Sequence, residues 1–279
     1  MARPTGYIGI TGFRTVEEVR QINDHVSRLP VGYFMFGITS SNKRLADPTS
    51  QGGTSPRLLD INSLVKEIDT HNLPMIHYYS SNSQEQLADE VVALFDYCRL
   101  DNYCVGLQIN ALWPLPHQIE NMRKAFEPQF KITMQLPQAA LVANNDQIIK
   151  RLREYDGLIQ YVLIDPSGGL GVDFNAVKAG ELMLEINNQF DSITPGVAGG
   201  FSDDNVKKRI AQIKGVTLCN HCHQGRLLDY SIDAQGKLRD KQTVPVAYPA
   251  NSPPIETSIL NTGRTIRYMD AALSAFYSE

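Results

Sequence analysis

A closed (β/α)8 barrel, a TIM barrel, is the fold class this sequence predicts, and three observations predict it. Short apolar runs rich in β-branched and aromatic residues alternate with helical patterns along all 279 residues. Eight such units fit into the chain, which implies parallel strands joined by right-handed crossovers. The length suits a barrel, which needs roughly 250 residues, and no low-complexity segment or linker divides the composition. An open, doubly wound sheet is the competitor. Eight units without a break favour closure into a single domain spanning 1–279.

The elements follow in order. Strand 1 is expected over 7–11 and its helix over 15–28, with strand 2 at 33–38. A polar loop over 39–57, carrying Lys43, Arg44, Gly52 and Gly53, leads to a helix over 58–69. Strand 3 (75–79) precedes a helix over 83–98, and strand 4 (104–109) a helix over 115–126. Strand 5 (131–135) is followed by a helix over 138–154, and strand 6 (161–164) by a helix from about 174. Strand 7 begins at 193 and enters a helix at Ser202, and strand 8 is expected over 216–220. A long polar loop, 224–254, then leads to a last helix over 256–278. The loops after strands 2 and 8 are the longest, and both belong to the C-terminal face, where barrel enzymes carry their chemistry.

Composition narrows the partners. Charged residues make up 20% of the chain and the formal net charge is −4, with no basic block or acidic tail. Nucleic acid and anionic membrane are therefore not expected as partners. There is no N-terminal apolar signal and no apolar run of membrane-spanning length, which points to the cytoplasm. Four cysteines, Cys98, Cys104, Cys219 and Cys222, are too few for a disulfide framework in a chain of this size. A homo-oligomer is compatible with the sequence.

The chemistry concentrates in two consecutive strand–turn–helix units. The run Tyr161-Val-Leu-Ile reads as a buried strand delivering the Asp165 carboxylate at its end, and Gly168, Gly169 and Gly171 follow. About thirty residues later, a strand ends in Gly199-Gly200 and enters a helix at Ser202, with Asp203 and Asp204 in the first turn. Glycine lets backbone N–H groups approach a ligand closely, and a helix N-terminus attracts anions. Gly168, Gly169, Gly199, Gly200 and Ser202 are thus expected to hold a phosphate-sized anion beside Asp165. The simpler alternative is tight turns with Asp165 capping its own loop.

The densest reactive cluster is Cys219-Asn-His221-Cys222-His223, expected at the end of strand 8. In an extended chain Cys219, His221 and His223 share one face. Three such ligands at a barrel mouth would suit zinc with one open position. Otherwise His221 or His223 lines the substrate pocket and takes part in proton transfer. His77 on strand 3 faces the same choice between pocket and structural roles.

These motifs resemble phosphoribosylanthranilate isomerase, a (β/α)8 barrel of tryptophan synthesis. The run Val162-Leu-Ile-Asp165 with Gly168-Gly169-Leu-Gly171 is similar to that family's strand 6, with its general-acid Asp and GG-x-G loop. Gly199-Gly200-Phe-Ser-Asp-Asp-Asn205-Val206 resembles its phosphate-binding turn. Gly9-Ile10-Thr11 is similar to the end of the K-x-C-G-I-T strand, and Ser41-Asn-Lys43-Arg44 resembles the loop whose Arg faces the substrate carboxylate. Leu107-Gln108-Ile109-Asn110 is similar to V-Q-L-H, and Gly236-Lys-Leu-Arg-Asp240 faintly echoes the G-x-K-D after strand 8. The resemblance implies Arg44, Gln108 and Asn110 as substrate contacts and no cofactor. The departures are equally specific. The family's general-base Cys falls at Ile8, its first-strand Lys at Gly6, its strand 4 His at Asn110 and the Lys after the GG-x-G loop at Val172. The expected function is therefore acid–base chemistry, of isomerase type, on a small phosphorylated sugar-like metabolite, but not the family's own reaction. The alternatives are a metal-assisted lyase or hydrolase using Cys219, His221 and His223, and a barrel that binds its ligand without catalysis.

Overall fold

The computed structural model describes residues 3–29, 34–50, 53–82, 84–100, 103–110, 113–136, 141, 144–166, 175–217, 230–244 and 255–277. Eight parallel strands are β1 (Ile8–Thr11), β2 (Phe34–Ser41), β3 (Leu73–Tyr79), β4 (Gly106–Ile109), β5 (Lys131–Leu136), β6 (Tyr161–Ile164), β7 (Thr194–Ala198) and β8 (Ser231–Ala234). They close into a barrel in chain order, with β1 paired to both β2 and β8. Around them lie α1 (Val16–Val26), α2 (Asn42–Ala46), α3 (Ile61–Glu67), α4 (Leu87–Cys98), α5 (Pro116–Ala125), α6 (Asn145–Leu152), α7 (Ala176–Gln189), α8 (Val206–Thr217) and α9 (Thr262–Tyr277). After β8 the chain adds a two-stranded antiparallel sheet, β9 (Arg239–Val244) with β10 (Ile255–Leu260). Among the described residues no helix is long and apolar enough to cross a membrane.

Strand alternation builds two cores. Successive side chains of a strand point to opposite faces. One set, including Ile8, Ile10, Phe36, Ile109, Val162, Ile164 and Ile232, packs outward against the helices in one large buried cluster. The other set forms a separate cluster inside the barrel: Tyr7, Met35, Leu73, Met75 and Tyr161. Each such side chain contributes about 1.5–3 kcal/mol by burial. Two residues further along the same inward rows the character changes. Gly9 and Thr11 follow Tyr7, His77 follows Met75, and on the Tyr161 row the change comes after Leu163, at Asp165. The barrel is thus apolar at its base and polar at its C-terminal mouth.

Close packing within the mouth depends on two glycines. A Cβ on Gly9 would lie 2.7 Å from Oδ1 of Asp233, and one on Gly37 would lie 2.5 Å from Oγ1 of Thr11 and 2.8 Å from Nε2 of His77. Only glycine leaves room there for the neighbouring polar side chains. The helix ends are set locally. Thr15 and Glu18 form a reciprocal capping box at the start of α1. Pro116 opens α5, where its missing N–H has no helical partner to lose.

The order of elements through β7 follows the sequence expectation; the last part of the chain does not. The stretch 216–220, expected as the eighth strand, begins inside α8. Val206, Ile210, Ile213 and Val216 continue one helical stripe, and Val216 packs where a Cβ on Gly180 of α7 would lie 3.2 Å away. The eighth strand is Ser231–Ala234, inside the stretch read as a loop over 224–254. It escapes notice because it is four residues long and two of them, Ser231 and Asp233, face the barrel interior with polar groups. The last helix begins at Thr262 rather than 256. Residues 255–260 are extended against β9, and Asn261 receives the N–H of Arg264 on its side chain at 2.9 Å. The loop expected over 39–57 is shortened, because β2 continues to Ser41 and α2 follows at once, its first turn capped by Ser41.

Candidate active site

The polar mouth forms a pocket that is partly open to solvent. His77, Gln108, Asn110, Gln135, Asp165 and Asp233 line its floor and walls, and the turn at Gly199 and Gly200 forms one side. These groups come from the C-terminal parts of five strands, β3, β4, β5, β6 and β8, or the residue just beyond, with Gln108 and Asn110 sharing β4, the arrangement by which barrels assemble sites. Over the β1–β2 side the loop folds back. Gln235 donates from Nε2 to Oγ1 of Thr54 at 2.9 Å, and Oγ1 of Thr39 donates to the Thr54 carbonyl at 2.9 Å. Among the described residues, Lys237 is the lysine or arginine of the lining, and it is exposed at the rim.

Two buried hydrogen-bond chains shape the floor. Oδ2 of Asp165 accepts from Nε2 of Gln135 at 3.0 Å. Nε2 of Gln108 donates to Oδ1 of Asn110 at 2.8 Å and to Oε1 of Gln135 at 3.2 Å. On the opposite wall the hydroxyl of Thr11 lies 2.9 Å and 3.1 Å from the two carboxyl oxygens of Asp233 and donates to them. Nδ1 of His77 lies 3.4 Å from the same hydroxyl. Thr11 has one proton to give, so the consistent tautomer places a proton on Nδ1 of His77, donating to Thr11. Nε2 of His77 then faces Gly37 with no hydrogen-bond partner among the described residues.

Burial tunes both ends of this second chain. It pushes the Asp233 carboxyl up to about 7; the Asp165 charge adds to the rise, while the Thr11 hydroxyl and the Ala234 backbone N–H oppose it. Burial also lowers His77 to about 3, so its imidazole is neutral at ordinary pH. The mouth therefore holds a carboxyl that changes charge near neutrality beside a histidine that does not.

The turn after β7 has left-handed backbone at two successive glycines, with φ +106° at Gly199 and +61° at Gly200. Consecutive residues of this kind can turn their N–H groups to one side, the geometry of an anion-binding concavity. The Gly200 carbonyl accepts from Nδ2 of Asn205 at 2.8 Å, and the Gly199 carbonyl from Nη1 of Arg209 at 2.5 Å. These bonds give both carbonyls a donor from the side chains that follow.

The sequence-derived site residues divide into three groups. Asp165, Gln108, Asn110, Gly199 and Gly200 come together in the pocket. Ser202 lies one turn ahead of α8, which starts at Val206; its N–H donates to Oδ1 of Asn205 at 2.9 Å and its carbonyl accepts from the N–H of Val206 at 3.0 Å. Arg44 sits in α2, where Nη1 donates to Oγ of Ser50 at 3.1 Å, and it is not among the residues lining this pocket. Gly168, Gly169, Cys219, His221, Cys222 and His223 lie outside the described residues. Among the described residues, no group of three His, Cys, Asp or Glu side chains is placed to hold a metal ion. Position 8, to which the resemblance assigns the family's base, faces the helices: Ile8 belongs to the outer cluster. The inward residue at the end of β1 is Thr11. Sequence reasoning missed Asp233 and Gln135. The polar–apolar alternation Ser231-Ile-Asp-Ala was the available signal for the first.

No family model matches the sequence, and no curated protein matches it. Solved structures do. Phosphoribosyl anthranilate isomerase from Thermotoga maritima superposes with a TM-score of 0.58 at 12% identity, covering 96% of this chain and 98% of that one. The enzyme from Thermus thermophilus gives 0.57 at 11% identity, over 96% and 97% of the two chains. A phosphoribosyl anthranilate isomerase in complex with reduced 1-(o-carboxyphenylamino)-1-deoxyribulose 5-phosphate gives 0.57 at 12%, over 96% and 98%. At this identity the likeness is one of fold. The chain shares its barrel, end to end, with those enzymes, and fold alone does not fix the reaction.

Proposed function

We propose that this barrel is an enzyme that moves protons, in the manner of an isomerase, on a small phosphorylated sugar-like metabolite of the cytoplasm. One observation carries the reading: Asp165, the Gly199–Gly200 turn and Lys237 line the same pocket. A carboxyl group able to exchange a proton thus stands beside backbone donors and a cation suited to a phosphate. The 5-phosphate ligand of a structural neighbour supports the same substrate class. Ile8 facing outward and Asn110 in place of the family's histidine argue for a substrate other than that family's own.

The phosphate anchors the substrate by groups that do not react, and Asp165 works on the atoms beyond it. Purified protein should bind inorganic phosphate in a calorimetric titration. Gly200→Val should abolish that binding, and its left-handed backbone should cost about 1–2 kcal/mol of stability as well. Asp165→Asn should bind phosphate as the wild type does, yet lose about 10²–10⁴-fold in turnover across a panel of aldose and ketose phosphates. Absence of phosphate binding by the wild type, or full turnover by Asp165→Asn, overturns the proposal.

A further inference from the structure

We infer that Asp233 is the second proton-transfer group of this pocket, facing Asp165 across Ala198 so that the two carboxyls flank the reacting carbons of an open-chain aldose or ketose phosphate. The inference rests on the reading above, that the substrate is a phosphorylated sugar held beside Asp165.

Strand register supplies the geometry. Ala198 of β7 pairs with Asp233 of β8, and Ile164 of β6 pairs with Val197, which puts Asp165 level with Ala198. The three residues form one row, with a carboxyl at each end and a methyl between. Neighbouring strands are about 4.8 Å apart, so the two acids spring from backbone roughly 10 Å apart and converge across the lumen. That separation admits a carbonyl carbon and its neighbour. The row runs on through Ala198 into the Gly199–Gly200 turn, on the same side as the proposed phosphate position.

A structural explanation for Asp233 is weak. Buried carboxylates kept for stability are usually paired with a cation, and an apolar residue serves as well or better in a core. Asp233 is fixed by a hydroxyl and a backbone N–H instead. The titratable groups facing it are Asp165 from beyond β6, Tyr7 from the start of β1, Tyr268 from α9, and His77 from β3 through Thr11. Lys237 stands at the rim of the same pocket. Gly9 makes room for the carboxyl, since any side chain there would meet Oδ1.

The step balances without a further reactant. The Asp165 carboxylate takes the hydrogen from the carbon next to the carbonyl. The electron pair of that C–H bond becomes the C=C bond of an enediol, and the carbonyl π pair takes the proton of Asp233. Asp165 then gives its proton to the former carbonyl carbon, while the carboxylate of Asp233 recovers one from the other hydroxyl. The isomer leaves and both acids return to their starting states. Thr11 is a positioning residue that orients Asp233.

The test uses inorganic phosphate and 5-phospho-D-arabinonohydroxamate, a mimic of the enediolate, in calorimetric titrations of the full chain. The wild type should bind the hydroxamate about 10²-fold or more tighter than phosphate. That preference should fall as pH rises through about 7, because the mimic suits protonated Asp233; inorganic phosphate and a phosphate monoester ionise at different pH, and that contribution is common to the wild type and Asp233→Asn. Asp233→Asn should bind phosphate normally, lose most of the preference, and show a pH dependence reduced to the phosphate contribution. If Asp233→Asn does not fold, Thr11→Val carries the test: removing the donor should move the midpoint upward, and an unmoved midpoint overturns the inference. Phosphate bound by the wild type with no hydroxamate preference, or a preference that Asp233→Asn leaves intact, sinks the role of Asp233 while the proposed function stands. No phosphate binding by the wild type sinks the proposed function itself.

Discussion

At the scale of single residues, Asp233 and His77 pull stability in opposite directions as pH changes. The Asp233 carboxyl is raised in the folded chain to about 7, from about 3.9 when unfolded. The folded state then holds the extra proton, so the stabilisation is complete below about 4 and is lost as pH rises through 7. His77 is lowered to about 3 from about 6.5, so the unfolded chain takes up its proton first. Its contribution is present above about 6.5 and lost as pH falls toward 3. The two slopes offset one another over the shared window. Urea denaturation between pH 4 and 7 should therefore give a shallow profile for the wild type. Asp233→Asn should unmask a rise in stability with pH, and His77→Gln a fall. Identical profiles for all three proteins would remove the physical basis assigned to both groups.

At the scale of elements, Glu18 ties α1 to the segment after β8. Its carboxylate accepts from the N–H of Arg14 at 2.6 Å, of Thr15 at 3.2 Å and of Leu260 in β10 at 2.9 Å. It also lies 3.7 Å from Arg239, whose side chain is 2% exposed and donates to the Gly12 carbonyl at 2.5 Å. Glu18→Ala should cost about 3–5 kcal/mol in chemical denaturation, because it leaves a buried guanidinium without its counter-charge. Thr15→Ala, which loses only the cap, should cost about 1 kcal/mol. A Glu18→Ala loss no larger than that of Thr15→Ala would mean the ion pair is immaterial. The cap was readable from Thr15 and Glu18 three residues apart; the tie to β10 was not, since 242 residues separate its ends. The same distinction governs the site. Asp165 was legible because it ends a continuous apolar run. Asp233 was not, because β8 shows only two apolar side chains to the helices and turns the rest inward. Val216 read as strand because β-branched residues at the end of a helix carry no local mark of which element they close.

At the scale of the whole molecule, closure is what gives the pocket a continuous floor. Polar rows from β1, β3, β4, β5, β6 and β8 meet only because β8 pairs with β1, through Ile8 with Ile232 and Gly9 with Asp233. A closed barrel has no edge strand to open first. Native-state hydrogen exchange should find the amides of Ile8–Thr11 and Ser231–Ala234 protected to the same degree as those of Gly106–Ile109. Exchange orders of magnitude faster at β1 and β8 would mean an open sheet. The barrel itself was legible from the alternation of elements, a property of the whole chain that survives a misplaced strand. Its last strand was found only by the pairing that closes it.

The contact at Gly37 also bears on how such a pocket can have changed over time. Any side chain at that position collides with Thr11 and His77 together, and Thr11 in turn anchors Asp233. Bulk on β2 would therefore have to come with a change at Thr11 or His77, and loss of the histidine would leave a gap beside the glycine. The three positions are coupled, so their substitutions are expected to be non-additive.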